Sequence, residues 1–167
     1  MRRIYFTGAS GVGKTTLAKW VSETYGIPIV TGASRLTLEK MGITNPGQFF
    51  KYRSREQAED FQRRTFAQQD ALETAASLQE VSGYVSDRTI LDNLAHMQLN
   101  EAEGLIRKVC ARGADSGFGT GLWRLIQPET SIFFVRPCEE IRLAAKDGVR
   151  DLFLEPQTQH RIDQTIM

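Results

Sequence analysis

One eight-residue stretch limits what this chain can fold into. Gly8-Ala9-Ser10-Gly11-Val12-Gly13-Lys14-Thr15 satisfies the pattern G-x-x-x-x-G-K-[ST] at every fixed position. Before it, Ile4, Tyr5, Phe6 and Thr7 suit a strand. After it, Thr16 to Tyr25 reads as a helix closed by Gly26. Strand, glycine loop and helix together form the context in which this pattern cradles phosphate. The glycines let the backbone turn so that successive N–H groups point at phosphate oxygens. Gly8, Ala9, Ser10, Gly11, Val12, Gly13, Lys14, Thr15 and Thr16 are therefore the candidate nucleotide-holding set. Lys14 is expected at the β- and γ-phosphates and the Thr15 hydroxyl on Mg²⁺, with the helix N-terminus adding partial positive charge beneath.

A chain of 167 residues can bury a sizeable core, and no linker or repeat divides it, so residues 1–167 read as a single domain. The formal net charge of +1 gives no overall signal for nucleic acid, although a local basic groove stays open. Cys110 and Cys138 lie far apart and form no C-x-x-C pair, which fits a reduced compartment. The four strand-type residues between Arg3 and Gly8 fall short of a signal-peptide core. No apolar run approaches membrane length. The expected setting is cytoplasmic, away from a membrane.

Leu17, Trp20 and Val21 share one side of the first helix and are expected to pack on a sheet. Ile27 to Val30 reads as a short strand, and Thr31 to Arg35 leaves its C-terminal end, where open parallel sheets gather ligands. Arg35 is therefore a candidate for gripping an acceptor. Leu36 to Tyr52 has no clean period; its Phe49, Phe50 and Tyr52 suit either a core or stacking on a base. Ser54-Arg55-Glu56-Gln57 is a capping box, opening a helix expected to reach about Val81. Phe61, Phe66, Leu72, Ala75 and Ala76 are expected on its buried side. Arg63 and Arg64 face either an acceptor or solvent. The region from about 31 to 82 reads as an acceptor-side insertion.

Gly83 to Asp87 is a second informative stretch, a strand ending in a carboxylate. An acid there would face the phosphates across the glycine loop, in the metal's coordination shell or accepting a hydroxyl proton. Arg88 beside it has the planar fork that clamps phosphate. Asp92 opens the next helix, either as an acceptor ligand or as a partner of that helix's N-terminus. That helix is expected to run to about Arg112, with His96 structural, and Ala114 to Gly121 reads as a glycine-rich loop before a helical turn at Leu122–Ile126. Ser131 to Val135 reads as a buried strand. Residues 136–150, with Arg136, Arg142, Lys146 and Arg150, suit a lid whose arginine neutralises a transferring phosphoryl group. Asp151–Leu154 suits a last strand, and Pro156 opens a final helix.

The glycine loop, Asp87-Arg88-Thr89-Ile90-Leu91-Asp92-Asn93-Leu94 and Asp147-Gly148-Val149-Arg150 together resemble the small P-loop kinases of the nucleoside and nucleotide kinase superfamily. In particular, the chain looks like a compact group of AAA-type kinases common in bacteriophages. Their relatives include ribosylnicotinamide-type kinases and phage deoxynucleotide kinases. The resemblance implies a three-layer α/β/α P-loop NTPase fold with a five-stranded parallel sheet of order 2-3-1-4-5 and a helical lid. It implies ATP and Mg²⁺, with transfer to a nucleoside or nucleotide acceptor in a cell's or host's cytoplasm. By position, Lys14, Asp87, Arg88 and Arg150 are its catalytic candidates, Thr15 and Asp87 its metal candidates, and Arg35, Arg63 and Asp92 its acceptor candidates. Many relatives carry an acid just after the second strand; here Thr31-Gly32-Ala33-Ser34 has none, which leaves Asp87 and Asp92 as the candidate bases.

Two other readings stay open. Some phage kinases of this type phosphorylate 5-hydroxymethyluracil already in DNA for thymidine hypermodification, and Arg35, Lys51, Arg53, Arg55, Arg63 and Arg64 would suit such a grip. The other is an NTPase or nucleotide-binding module that transfers nothing. No N-K-x-D guanine motif is present, and Tyr84-Val85-Ser86 is weak as a transporter-type strand before the acid. Oligomeric state, including a homodimer, is left open.

Overall fold

In the computed structural model, residues 1–79, 82–99 and 117–136 are described. Ten elements run in order: β1 (Arg2–Thr7), α1 (Lys14–Tyr25), β2 (Ile29–Val30), α2 (Ala33–Lys40), α3 (Pro46–Tyr52), α4 (Arg55–Ser77), β3 (Gly83–Ser86), α5 (Ile90–Leu99), α6 (Gly117–Leu125) and β4 (Thr130–Phe134). The four strands form one parallel sheet of order β2-β3-β1-β4. This is the α/β/α P-loop NTPase arrangement, with four strands among the described residues. The expected fifth strand, the body of the lid and the final helix lie outside those residues.

Alternation along the strands sorts the core into two layers. Phe6 and Val85 pack on Ala18 and Val21 of α1, with Ile4, Ile27 and Ile29 around them. Tyr5, Tyr84 and Val30 face the opposite way, onto Ala76 and Leu72 of α4. Phe66 and Ile90 join α4 to α5 and α6. Each layer covers one face of the sheet, and the ends of β1, β2 and β3 open at one edge.

Local chemistry explains most boundaries. Gly26 takes a left-handed φ of 63° and closes α1. Ser54 and Gln57 form the reciprocal capping box that starts α4. Asn45 accepts from the Gln48 N–H at 3.0 Å and, with Pro46 in the first turn, starts α3. The stretch without a clean period thus holds two short helices separated by Gly42.

Several expectations need correction. Leu17 and Trp20 do not join Val21 in the core. Trp20 is 58% exposed, and the buried stripe of α1 is Lys14, Ala18 and Val21, because the loop turns Lys14 inward and fixes the helix's rotation. Ala75 is exposed for the same rotational reason, since Glu73 and Ala76 face inward. α4 ends at Ser77 with Leu78 as its cap, not at Val81. Residues 117–121 belong to α6 rather than to a loop; Gly121 is small enough for Ile90 to lie against its backbone. β4 is not the buried strand expected: Ile132 and Phe133 are substantially exposed, and β1 is its partner among the described residues.

Candidate functional site

The glycine loop sits where β1 ends and α1 begins. Gly8, Gly11 and Gly13 all have positive φ, 135°, 80° and 94°. At Gly8 there is a second constraint: a Cβ there would collide with the Val135 carbonyl at the end of β4. The loop is therefore bent in a way side chains resist, and its entrance is pressed against the neighbouring strand. Buried Lys14 folds back along it, its Nζ donating to the carbonyls of Gly8 at 2.6 Å and Ala9 at 2.5 Å. Thr16, one residue after Thr15, is exposed.

Opposite the loop, β3 delivers Asp87. Its Oδ2 accepts from Thr15 Oγ1 at 2.7 Å and from Thr31 Oγ1 at 2.6 Å. Two chain segments, 56 and 72 residues from the acid, thus converge on one carboxylate oxygen. An acid just after β2 is missing from the sequence, and Thr31 fills that position with a hydroxyl. A hydroxyl beside a carboxylate at the C-terminal edge of a parallel sheet is a hard oxygen donor set, so Thr15 and Asp87 fit Mg²⁺. Among the described residues there is no separate cluster of three or more His, Cys, Asp or Glu suited to a metal.

Arg88 leaves the same turn toward the loop. Its Nη2 donates to Ser10 Oγ at 3.4 Å, and its Nη1 lies 3.4 Å from His96 Nε2 and 3.9 Å from Asp92 Oδ1. Part of His96 reaches the surface, yet burial of the ring, followed by Arg88, Lys14 and Arg53, pushes its pKa down to about 3.

Asp92 does not face an acceptor. It is 1% exposed, and both oxygens are committed. Oδ2 accepts from Thr7 Oγ1, Thr89 N and Thr89 Oγ1 at 2.7–2.9 Å, and Oδ1 accepts from Gly8 N at 3.2 Å. With Asp92 N donating to Thr89 Oγ1 at 3.3 Å, Thr89 and Asp92 make a reciprocal cap for α5. The acid therefore ties the start of the loop to the start of α5. Its oxygens are turned to these donors rather than presented to an open site.

The other acceptor candidates sit at the surface. Arg63 is ion-paired with Asp60 one turn earlier, which also pairs with Arg64 at 2.7 Å. Arg35 is exposed on α2. Phe49 and Phe50 form an edge-to-face cluster with Phe61, so these two rings are packed, while Tyr52 is exposed beneath the Lys51 ammonium. Arg136 is exposed at the end of the described chain, and Arg150 lies outside it.

A buried polar network supports the acid turn from behind. Tyr5 and Tyr84 hydroxyls donate to Glu73 at 2.8 and 3.2 Å, and Arg124 reaches Glu73 at 3.3 Å and Asp70 at 2.7 Å. Burial first, then Glu73, raises both tyrosines far above the ordinary range. Gln69 Nε2 bridges Glu73 and Ser86, at 2.8 and 3.1 Å, and Ser86 Oγ donates to the Arg88 carbonyl at 2.7 Å. A narrow crevice between α4 and α6 opens beside Tyr5, Phe66, Gln69, Glu73 and Arg124. The sequence reading missed Thr31, Thr7, Thr89 and Gln69. Thr89-x-x-Asp92 carried a capping signature; the other three had no local signal.

No helix among the described residues is long and apolar enough to cross a membrane. No curated protein and no solved structure matches the chain. A sequence model described as an AAA domain matches residues 3–166, nearly the whole length. P-loop domains of this type generally bind nucleotide with Mg²⁺, in agreement with the loop, the lysine and the Thr15–Asp87 pair. The chain belongs to the AAA domain family.

Proposed function

We propose that the chain is an ATP- and Mg²⁺-dependent kinase that transfers the γ-phosphate to the hydroxyl of a nucleoside- or nucleotide-type acceptor. The observation that carries this reading is the turn Asp87-Arg88. It sets a carboxylate against the P-loop threonine and, one residue later, an arginine against Ser10 of the same loop. An arginine beside the acid suits a phosphoryl group held in transit, in hydrolysis as in transfer, and the choice of transfer rests on the resemblance of the Asp87-Arg88 stretch to the small P-loop kinases.

In this reading the glycine-loop N–H groups and Lys14 bind the phosphates of ATP. Mg²⁺ on Thr15 and Asp87 would supply charge neutralisation. Arg88 holds the phosphoryl group in transit, and Arg150, by resemblance, joins it from the lid. The acceptor oxygen bonds to the γ-phosphorus as the bond to the β–γ bridging oxygen breaks. ADP leaves with that electron pair, and the hydroxyl proton passes late to Asp87. Thr31 fixes the carboxylate's orientation. Such a reaction belongs in the cytoplasm, where ATP is available.

The surface pairing of Arg55 with Glu59, and of Arg63 and Arg64 with Asp60, favours a small acceptor over duplex DNA. Paired arginines add less to the phosphate contacts on which a DNA grip depends. The test is transfer from γ-labelled ATP to free nucleosides, to nucleotides and to duplex DNA containing 5-hydroxymethyluracil, run side by side. Label on a free nucleoside or nucleotide is the expected result. Label on the DNA alone would make this a DNA-modifying kinase. Phosphate released with every acceptor unlabelled would place the chain among non-transferring NTPases.

A further inference from the structure

We infer that His96 is a positioning residue, whose Nε2 accepts a hydrogen bond from Arg88 and so holds that guanidinium over the P-loop at Ser10. The inference rests on the kinase reading for what Arg88 does, but not for how Arg88 is held.

Chemistry fixes the direction of the contact. A guanidinium has donors and no acceptor. The imidazole nitrogen 3.4 Å from Arg88 Nη1 must then present its lone pair, which leaves the ring neutral with its proton on Nδ1. The groups around the ring agree with this state. Lys14 from α1, Arg53 from the turn before α4 and Arg88 from the turn after β3 are all cationic and bear on His96. Asp92, the acid of the cluster, lies toward Arg88 and has both oxygens engaged by Thr7, Gly8 and Thr89.

Geometry gives the contact a consequence. Arg88 follows Asp87 directly, and its side chain is about a quarter exposed (26%), so the backbone alone leaves several directions open to a long flexible chain. Ser10 on one side and His96 on the other hold its two terminal nitrogens at 3.4 Å each. His96 thus defines a direction that the loop does not. A guanidinium already aligned loses less freedom when phosphate charge develops in front of it.

Two measurements test this. The first is the ¹⁵N–¹H long-range NMR spectrum of His96 in the full chain, which reads the tautomer without any turnover. The expected result is a neutral ring protonated on Nδ1 from pH 5 to 8, with Nε2 shifting in Arg88→Lys. A ring protonated on Nε2, or one that titrates near pH 6.5, overturns the inference. The second is ATP consumption, with or without a labelled acceptor, by His96→Phe and His96→Gln. Phe removes the acceptor; Gln can place an oxygen near the Nε2 position. We expect His96→Phe to lower kcat about tenfold, while KM for ATP changes less than about threefold and His96→Gln regains most of the loss. Wild-type turnover in His96→Phe, or equal loss in both variants, overturns it. If His96→Phe fails to fold, the Gln variant and the tautomer still decide. ATP consumed with every acceptor unlabelled would sink the kinase reading and leave the His96 measurement intact.

Discussion

The two ends of the site are built on different principles. At the phosphate end, functional groups are held by contacts between remote parts of the chain. Thr7 and Gly8 meet Asp92 across 85 and 84 residues, and Thr15 and Thr31 meet Asp87 across 72 and 56. On the segment proposed to face the acceptor, from α2 to the first half of α4, Arg55, Arg63 and Arg64 are held by neighbours three or four residues away, at the surface. Remote contacts form only when the sheet is assembled, so the phosphate end is as rigid as the fold. Local pairs on an exposed helix add little stability and move with their side chains. On the kinase reading, a domain so divided can keep one phosphoryl-transfer apparatus while its acceptor side changes.

The sharpest way to break this comparison is at the phosphate end. Lys14→Ala and Asp87→Asn should each lower turnover at least about a thousandfold, the first by removing positive charge from the phosphates, the second by removing the carboxylate proposed to hold Mg²⁺ and take the proton. Circular dichroism should show the fold retained. An Asp87→Asn enzyme with near-normal turnover would take the carboxylate out of the chemistry and leave Thr15 and Thr31 as its structural partners.

Next in size is Asp92. Replacing it with Ala strands the Thr7, Thr89 and Gly8 donors in a buried site, and should cost about 3 kcal/mol. Thermal unfolding should show this as a loss of roughly 10 °C in Tm. A loss below about 1 kcal/mol would mean that the donors find other partners and that the loop is less tightly tethered.

Sequence reading succeeded where a pattern fixes the backbone. The glycine loop's spacing demands strand before and helix after, and Asp87 follows directly from a strand that ends in an acid. It failed where the answer depended on what lies across space. Asp92 stayed open between acceptor ligand and helix-start partner, and the structure shows the second, with Thr89, three residues earlier, completing the cap. Leu17 and Trp20 read as core because they lie on the same side as Val21, whereas the inward turn of Lys14 puts Ala18 beside Val21 instead. Thr31 could not be found at all, since nothing local says that a hydroxyl after β2 will meet the acid after β3.

The pH dependence of stability probes the region between the two ends, where His96 meets Arg88. Its pKa is about 3 in the folded chain, below the ordinary 6.5. Between those values the unfolded chain binds a proton that the folded chain does not, so stability rises with pH across the window and is lost as pH falls below about 6.5. The contribution should approach about 1.4 kcal/mol per pH unit in mid-window. Denaturant unfolding of wild type and His96→Gln at pH 7 and pH 5 isolates it, since the variant should lack this part of the slope. Parallel slopes would show that the ring is solvated enough to titrate as it does in the unfolded chain.

The smallest effect is expected at Arg63, and it tests the acceptor end most directly. The Arg63 side chain is 65% exposed and paired with Asp60, which Arg64 shares. Removing it leaves Asp60 with a partner, so Arg63→Ala should change stability by less than about 0.5 kcal/mol. ATP consumption without acceptor should not change. If the pair is only a helix-surface contact, kcat/KM for the acceptor should stay within about twofold of wild type. A selective loss greater than about tenfold in acceptor kcat/KM, at unchanged KM for ATP, would mean that Arg63 leaves Asp60 to meet the acceptor. The surface pair would then be a resting state, and the acceptor end would be organised by its ligand where the phosphate end is organised by the sheet.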